Sequence, residues 1–197
     1  MIRKKFTLFV LDNMIWFIDI TLIVIFIIIE PNLLTAKNLM SMIYSVSMLG
    51  FLVLAQGIVL ISGNFDLSIG AIAGFSMTIA AVFYEFWLPG ASWVLLLAVI
   101  LLIGLAIGFY NGFFVAVVRI NPFLQTLGTY IFFYGLMLII GGRTLFLLPE
   151  QLIIPGGGRF GNSIIPVAVV LLLIGCVIVH FFLSKTSLGR KIYAIGS

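Results

Sequence analysis

The chain has 197 residues, of which 63% are hydrophobic and only 8% are charged, and its formal net charge is +4. A soluble domain carries roughly 25% charged residues, so this composition excludes a soluble globular protein and indicates an integral membrane protein. The single cysteine, Cys176, lies inside an apolar run. It cannot form an internal disulfide and has no companion metal ligand, so we expect a packing role, no metal site and no cofactor.

The hydropathy pattern predicts an all-α fold, a polytopic membrane helical bundle of about six transmembrane helices. A helix that crosses a bilayer needs about 20 residues, each adding about 1.5 Å. The first apolar segment is followed by Glu30-Pro31-Asn32 rather than by a small-residue cleavage site, which favours an uncleaved span. We therefore interpret residues 1–197 as a single transmembrane domain. The predicted spans are 14–29, 39–62, 67–86, 92–118, 122–141 and 163–183.

The lysines and arginines are distributed unevenly between the segments that join these spans. Basic residues concentrate on the cytoplasmic side of membrane proteins, which places the N-terminus in the cytoplasm. This distribution explains the net positive charge without a nucleic-acid partner. Seven of the ten basic residues then lie inside, namely Arg3, Lys4, Lys5, Arg119, Lys185, Arg190 and Lys191, and three lie outside, namely Lys37, Arg143 and Arg159.

A short polar segment with the sequence G-N-F-D-L-S-I-G (residues 63–70) separates the second and third spans. Asp66 is placed to cap the third span with its carboxylate, and Gly63 can adopt the backbone angles of a sharp break. An acid so close to hydrocarbon must face protein, water or the membrane edge. The segment is therefore either a capped turn at the interface or a polar element that lines a transport path. Its path candidates are Gly63, Asn64, Asp66 and Ser68.

Polar side chains within the spans leave the same two interpretations open. Each can hydrogen-bond to a neighbouring helix or line a path. The hydrogen-bonding role is favoured for Gln56 in the second span, whereas clustering favours the path at the start of the fifth span. The candidates within the spans are Gln56, Asn111, Gln125, Thr126 and Thr129.

Glycine and proline predict three further features. Gly104, Gly108 and Gly112 recur at four-residue spacing in the fourth span, which predicts a face for tight helix packing. Pro122 suits the first position of the fifth helix, where its missing N–H has no partner to lose. Residues 142–162, which include two prolines and three consecutive glycines, are predicted to be the longest non-helical stretch.

Four segments together resemble a known family. They are V-L-I-S-G-N-F-D-L-S-I-G (59–70), N-G-F-F-V-A (111–116), N-P-F-L-Q-T-L-G-T (121–129) and L-G-R-K-I-Y-A-I-G-S (188–197). In this combination and order the chain is similar to the ribose-type ABC importer permeases, whose wider family also contains branched-chain amino acid permeases. The similarity covers most of the chain from the second span onward.

The resemblance implies a permease subunit of the bacterial inner membrane that is not itself an enzyme. Such a subunit pairs with a second permease subunit, as a homodimer or heterodimer. Separate cytoplasmic ABC ATPase subunits drive transport by alternating access, and an external solute-binding protein delivers the substrate, here a ribose-like monosaccharide. The C-terminal segment would lead into the element that docks on the ATPase. By resemblance, the ATPase-coupling candidates are Leu188, Gly189, Arg190, Tyr193 and Gly196.

Other functions remain open at this stage. Members of the family continue beyond the position of Ser197, so the chain is expected to be the N-terminal part of a permease, truncated on its C-terminal side. It could then be a non-transporting membrane subunit. Within transport, the alternative is a branched-chain amino acid permease. An intramembrane enzyme is disfavoured because the sequence has no H-E-x-x-H motif, no paired aspartates at catalytic spacing and no serine–histidine pair in adjacent spans.

Overall fold

The computed structural model describes residues 12–141, 148–159 and 165–197. In these ranges it contains helices and no strand, which confirms the all-α prediction. A 3-10 turn, Pro31–Leu34, follows the first helix, and a π turn, Phe83–Trp87, extends the third. The helices are α1 Met14–Ile29, α2 Ala36–Ile61, α3 Ile69–Val82, α4 Trp93–Ala116, α5 Pro122–Gly141, α6 Glu150–Gly157, α7 Val167–Lys185 and α8 Ser187–Gly196.

Five helical segments are long and apolar enough to cross a membrane: α2, α3 with its π turn, α4, α5 and α7. They correspond to five of the six predicted spans, and α5 begins at Pro122 as expected. The remaining predicted span corresponds to α1, which has the predicted bounds but only 16 residues. At 1.5 Å per residue it is about 24 Å long, less than the roughly 30 Å of a hydrocarbon core.

The chain divides into two compact units, Met1–Ile43 and Tyr44–Ser197, and the boundary falls within α2. In the described part of the first unit, local hydrogen bonds organise the link after α1. The Glu30 carboxylate accepts hydrogen bonds from the Asn32 backbone N–H at 3.3 Å and from the Asn32 side chain at 3.0 Å. Thr35 donates to the Asn32 carbonyl at 2.8 Å. Three of the basic residues used in the orientation argument, Arg3, Lys4 and Lys5, lie outside the described residues, as does Arg143.

In the second unit, α3 packs against both α4 and α5. Its buried residues are all small, which lets neighbouring helix backbones approach closely. Gly74 lies against Met137 of α5, because a Cβ at this glycine would be 2.7 Å from the Met137 sulfur. The rings of Phe75 and Phe133 are 4.9 Å apart at their centroids. The buried residues of α3 are Ala71, Ser76, Ala80 and Ala81.

The part of α2 that belongs to the second unit packs against α7. A Cβ at Gly50 would be 2.6 Å from Leu172 Cδ2, and a Cβ at Gly175 would be 3.5 Å from Leu54 Cδ1. Large apolar side chains elsewhere point away from the helix contacts, as Phe109 and Ile139 show with exposed fractions of 75% and 79%. This outward distribution fits helices that are surrounded by lipid.

Three sequence-based expectations are wrong in the described part of the chain. The glycine face of α4 has no tight neighbour: Gly104 reaches only Ile72, at 4.0 Å, and Gly108 and Gly112 have no such neighbour within 4 Å. The stretch 142–162 is not simply non-helical, because it contains α6. Cys176 is exposed rather than packed. Glycine spacing defines a face but not its neighbour, and an apolar run does not say which side faces lipid.

The corner between α7 and α8 depends on Thr186 and Gly189. The Thr186 hydroxyl accepts the Gly189 N–H at 3.0 Å, which caps α8, and donates to the Phe182 carbonyl at 2.6 Å. A Cβ at Gly189 would collide with the backbone carbonyls of Phe182 and Leu183. Because these are backbone atoms, the collision cannot be relieved by a side-chain rotation.

We expect the substitution Gly189→Ala to speed amide hydrogen exchange across α8 by about 5- to 150-fold, since overpacking of this kind costs about 1–3 kcal/mol and 1.4 kcal/mol is about tenfold. The matched control is Gly57→Ala, where a Cβ would meet nothing within 4 Å. The control should leave exchange in α8 unchanged. Equal protection of α8 in both variants would contradict the proposed corner.

Candidate functional site

The break between α2 and α3 has the geometry that its sequence predicts. Gly63 adopts a positive φ of 75° just beyond the end of α2, a conformation that glycine accommodates without strain. Asn64 folds back on the helix end: its backbone N–H donates to the Val59 carbonyl at 3.2 Å, and its side chain donates to the Ser62 carbonyl at 3.0 Å. The break is therefore a fixed turn rather than an open loop.

Asp66 organises the entry into α3, although not as the helix cap that was expected. The helix begins at Ile69 with Ser68 as its N-cap residue, two positions after Asp66. Asp66 Oδ1 accepts the Ser68 backbone N–H at 2.7 Å and the Ser68 hydroxyl at 2.5 Å. This is the Asx-turn pattern, in which an aspartate binds the backbone two residues further on. One oxygen of the carboxylate is thus bound twice before the first turn of the helix.

A chain of side-chain hydrogen bonds continues from Ser68 into α4 and α5. Asn111 donates from Nδ2 to Ser68 Oγ at 2.9 Å. Its Oδ1 accepts from Thr129 Oγ1 at 2.6 Å and from Gln125 Nε2 at 3.2 Å. The Ser68 hydroxyl donates its hydrogen to Asp66, so Ser68 Oγ can only accept from Asn111. The Asn111 amide must therefore direct its nitrogen towards Ser68 and its oxygen towards α5. We call Asp66, Ser68, Asn111, Gln125 and Thr129 the polar network.

A second connection runs beside the polar network. Thr126 Oγ1 accepts the Leu67 backbone N–H at 3.1 Å and donates to the Pro122 carbonyl at 2.8 Å. It therefore joins the break directly to the first turn of α5. Ser68, Asn111, Thr126 and Thr129 are all buried, with exposed fractions of 0–5%. Their hydrogen bonds join the start of α3 to α4 and α5. From the sequence these residues could either bond to a neighbouring helix or line a path, and here they make bonds between helices.

Two concave surfaces lie next to these residues. A groove of about 700 Å³ follows α4 and α5, and Gln125 and Thr129 provide its polar edge. The rest of its lining is mostly apolar and aromatic, including Tyr110 and Phe132. A shallower depression of about 440 Å³ lies at the break, where Gly63 and Asn64 face the start of α5. The sequence-predicted residues thus reach a surface at Gln125, Thr129, Gly63 and Asn64.

Two further polar side chains have a buried atom without a hydrogen-bond partner in the described chain. Gln56 Nε2 is one of them, so the inter-helix bond expected for Gln56 is not made here and Gln56 is not part of the polar network. Glu85 Oε2 is the other. Glu85 was missed in the sequence, although an acid within an apolar span is a signal for function. It lies in the π turn, an irregularity that is frequent at functional sites.

The C-terminal helix α8 lies at the same end of the second unit as the break. A Cβ at its residue Gly196 would collide with the Ile61 carbonyl oxygen and would be 3.0 Å from the Gly63 nitrogen. Of the predicted coupling residues, Gly189 is buried in the corner with α7, whereas Leu188, Arg190 and Tyr193 are exposed. The helix therefore presents side chains outward while its two glycines contact the bundle.

We expect Asn111→Leu to destabilise the protein by about 1–3 kcal/mol, because the buried hydroxyls of Ser68 and Thr129 and the half-buried amide of Gln125 each lose a partner. The midpoint of thermal unfolding in detergent measures the effect. The control is Ser76→Ala, since the equally buried Ser76 hydroxyl bonds only to the Ile72 carbonyl of its own helix. Similar midpoints for the two variants would show that the polar network does not hold the helices together.

Comparisons with known proteins bear on the identity of the chain. A family described as "Branched-chain amino acid transport system / permease component" matches residues 38–197. The L-arabinose ABC transporter permease protein AraH of Azospirillum brasilense is 31% identical over 84% of this chain and 48% of its own length. The ribose import permease protein RbsC of Bacillus subtilis is 30% identical over 89% of this chain and 54% of its own.

The autoinducer 2 import system permease protein LsrC of Escherichia coli O9:H4 is 31% identical over 89% of this chain and 52% of its own length. The chain thus spans about half the length of the curated relatives it matches. No solved structure matches it. With the matched segment covering the break, the polar network and α8, the chain is a multi-pass membrane protein that belongs to this family of ABC transporter permease components.

Proposed function

We propose that the chain is the N-terminal part of a permease subunit of an ATP-driven importer in the bacterial inner membrane, and that the substrate is a monosaccharide similar to ribose. The observation that carries this proposal is the set of relatives that match 84–89% of the chain, since two of them are named for arabinose and ribose. The family description names branched-chain amino acids, but the relatives compared above favour a sugar.

In this proposal, α8 docks on a cytoplasmic ABC ATPase subunit. Leu188 and Tyr193 are 57% and 52% exposed, and Arg190 is exposed beside them. An exposed patch that combines an apolar residue, an aromatic ring and a guanidinium has the composition typical of protein interfaces. The break and α8 then face the cytoplasm, in agreement with the basic residues Arg119, Lys185, Arg190 and Lys191 near this end. The N-terminus would also be cytoplasmic.

The translocation path, in the same proposal, runs along the groove of α4 and α5. Small-molecule sites in general combine apolar and aromatic surfaces with a few polar groups that fix orientation. Gln125 and Thr129 supply the polar groups of the groove, next to Tyr110 and Phe132. Asp66, Ser68, Asn111 and Thr126 would then act behind this surface by fixing the helices. Gln56, whose side-chain nitrogen is buried without a hydrogen-bond partner in the described chain, does not line this groove and stays a separate candidate for the path. A second permease subunit would cover the open side of the groove, and an external binding protein would deliver the substrate.

We expect Arg190→Ala and Tyr193→Ala each to weaken copurification of the ATPase subunits by about tenfold or more, as for interface residues that dominate binding. Membrane insertion should be unaffected because both side chains are exposed. The control Lys185→Ala removes a similar charge at the end of α7, outside the proposed docking face. Unchanged copurification in both α8 variants would contradict the docking assignment.

Uptake measurements separate the sugar from the amino acid substrate. We expect cells that express the complete transporter to take up a radiolabelled pentose, and an excess of another pentose to compete while leucine does not. The reason is that polar groups placed for ring hydroxyls reject a ligand that lacks them. Cells that lack the chain provide the background. Competition by leucine would favour the branched-chain amino acid permease, and uptake equal to the background would favour a non-transporting subunit.

A further inference from the structure

Helix α8 is held at both of its ends by contacts between backbones. At its start, Gly189 lies against the carbonyls of Phe182 and Leu183 at the end of α7. At its other end, Gly196 lies against the Ile61 carbonyl, where a Cβ would also be 2.9 Å from the Ile61 carbonyl carbon. Neither contact includes a flexible side chain that could absorb a displacement. A movement of α8 must therefore either move its neighbours or break these contacts.

The contact at Gly196 involves the end of α2, immediately before the break. The last carbonyls of a helix have no partner within that helix, and a close Cα–H of glycine is a weak donor to such an oxygen. The same Gly196 approaches Gly63, whose positive φ allows the chain to turn there. The end of α8 thus contacts Ile61 and Gly63, where the chain leaves α2 and turns into the break.

The other side of the break is attached to the polar network. Leu67 is bound to α5 through Thr126 Oγ1, and Asp66 is bound to Ser68, which accepts from Asn111 of α4. Only the short segment from Gly63 to Asp66 separates the contact of α8 from these bonds. The position of α8 and the state of the polar network are therefore connected by a few residues with fixed hydrogen bonds.

We propose that Gly196 is a positioning residue through which α8 controls the conformation of the α2–α3 break and, through it, the polar network. This inference rests on the proposed function, because it assumes that α8 docks on the ATPase. It adds that docking reaches the helix bundle by the backbone contact of Gly196 with Ile61 and Gly63, in addition to the direct connection of α8 to α7.

The test compares Gly196→Val with wild type in the full-length permease together with its ATPase subunits. We expect copurification of the ATPase to be retained, since Arg190 and Tyr193 remain in place, while uptake falls by about tenfold, within the range typical of coupling between sites. The control is Gly108→Ala, whose Cβ would meet nothing within 4 Å and which should leave uptake unchanged. Uptake of Gly196→Val equal to that of wild type would overturn the inference.

A second measurement does not depend on transport. In a background in which Cys176 and every other cysteine of the full-length permease and its ATPase subunits are replaced by serine, the substitution Phe65→Cys places a single reporter within the break, where Phe65 is 44% exposed. We expect ATP to change the rate of maleimide labelling at this position when residue 196 is glycine and to have no effect when it is valine. An equal effect of ATP on labelling in both proteins would overturn the inference. If the valine variant lost both the effect of ATP and the copurification of the ATPase, the inference would also be wrong, because Gly196 would then be needed only for the folding of α8.

The two proposals fail in different ways. If wild-type α8 does not bind the ATPase at all, the docking function is wrong and the inference about Gly196 is wrong with it. If the wild type binds the ATPase and transports while Gly196→Val does the same, the docking function stands and only the contact with Ile61 has no role in coupling.

Discussion

A polar side chain between membrane helices must make its hydrogen bonds within the protein, because lipid offers none. The arrangement of α3, α4 and α5 depends on this constraint. Asp66 accepts from Ser68, Ser68 from Asn111, and Asn111 from Thr129 and Gln125. All these bonds point towards one carboxylate, so each polarises the next and the charge is spread over several donors. A helix that rotated or slid would break the chain of bonds and expose unpaired groups to hydrocarbon.

The same constraint explains why the break is compact. Between the ends of two spans the backbone leaves its helical bonds, and its free groups need other partners. Asn64 and Asp66 supply them locally, while Thr126 binds Leu67 from the neighbouring helix. The helix α8 adds a contact from outside the bundle at Ile61 and Gly63. The break is consequently where a surface helix and the buried network meet, which gives it a position suited to communication between them.

Most of the helices could be predicted from the sequence, because apolar runs of sufficient length admit few other structures in a membrane. Pro122 and Gly63 marked a helix start and a turn for reasons that are local to the backbone. The bond between Asn111 and Ser68 could not be derived, since it joins residues 43 positions apart and depends on how two helices rotate about their axes. The glycine face of α4 failed as a prediction of packing for the same reason. The short helix α6 was missed because its sequence, E-Q-L-I-I-P-G-G, contains a proline and two glycines, which disfavour a helix.

The strength of the polar network is compatible with a role in a moving protein. Three hydrogen bonds of the polar network join α4 to the start of α3 and to α5, and the bond between Thr126 and Leu67 beside the network joins α5 to the break. Polar contacts between membrane helices contribute about 0.6 kcal/mol each on average, so these four together contribute about 2–3 kcal/mol. Coupling free energies between sites are typically about 1–3 kcal/mol. These bonds are therefore strong enough to favour one arrangement of the helices at rest, yet a free energy of the size typical of coupling between sites is enough to change that arrangement.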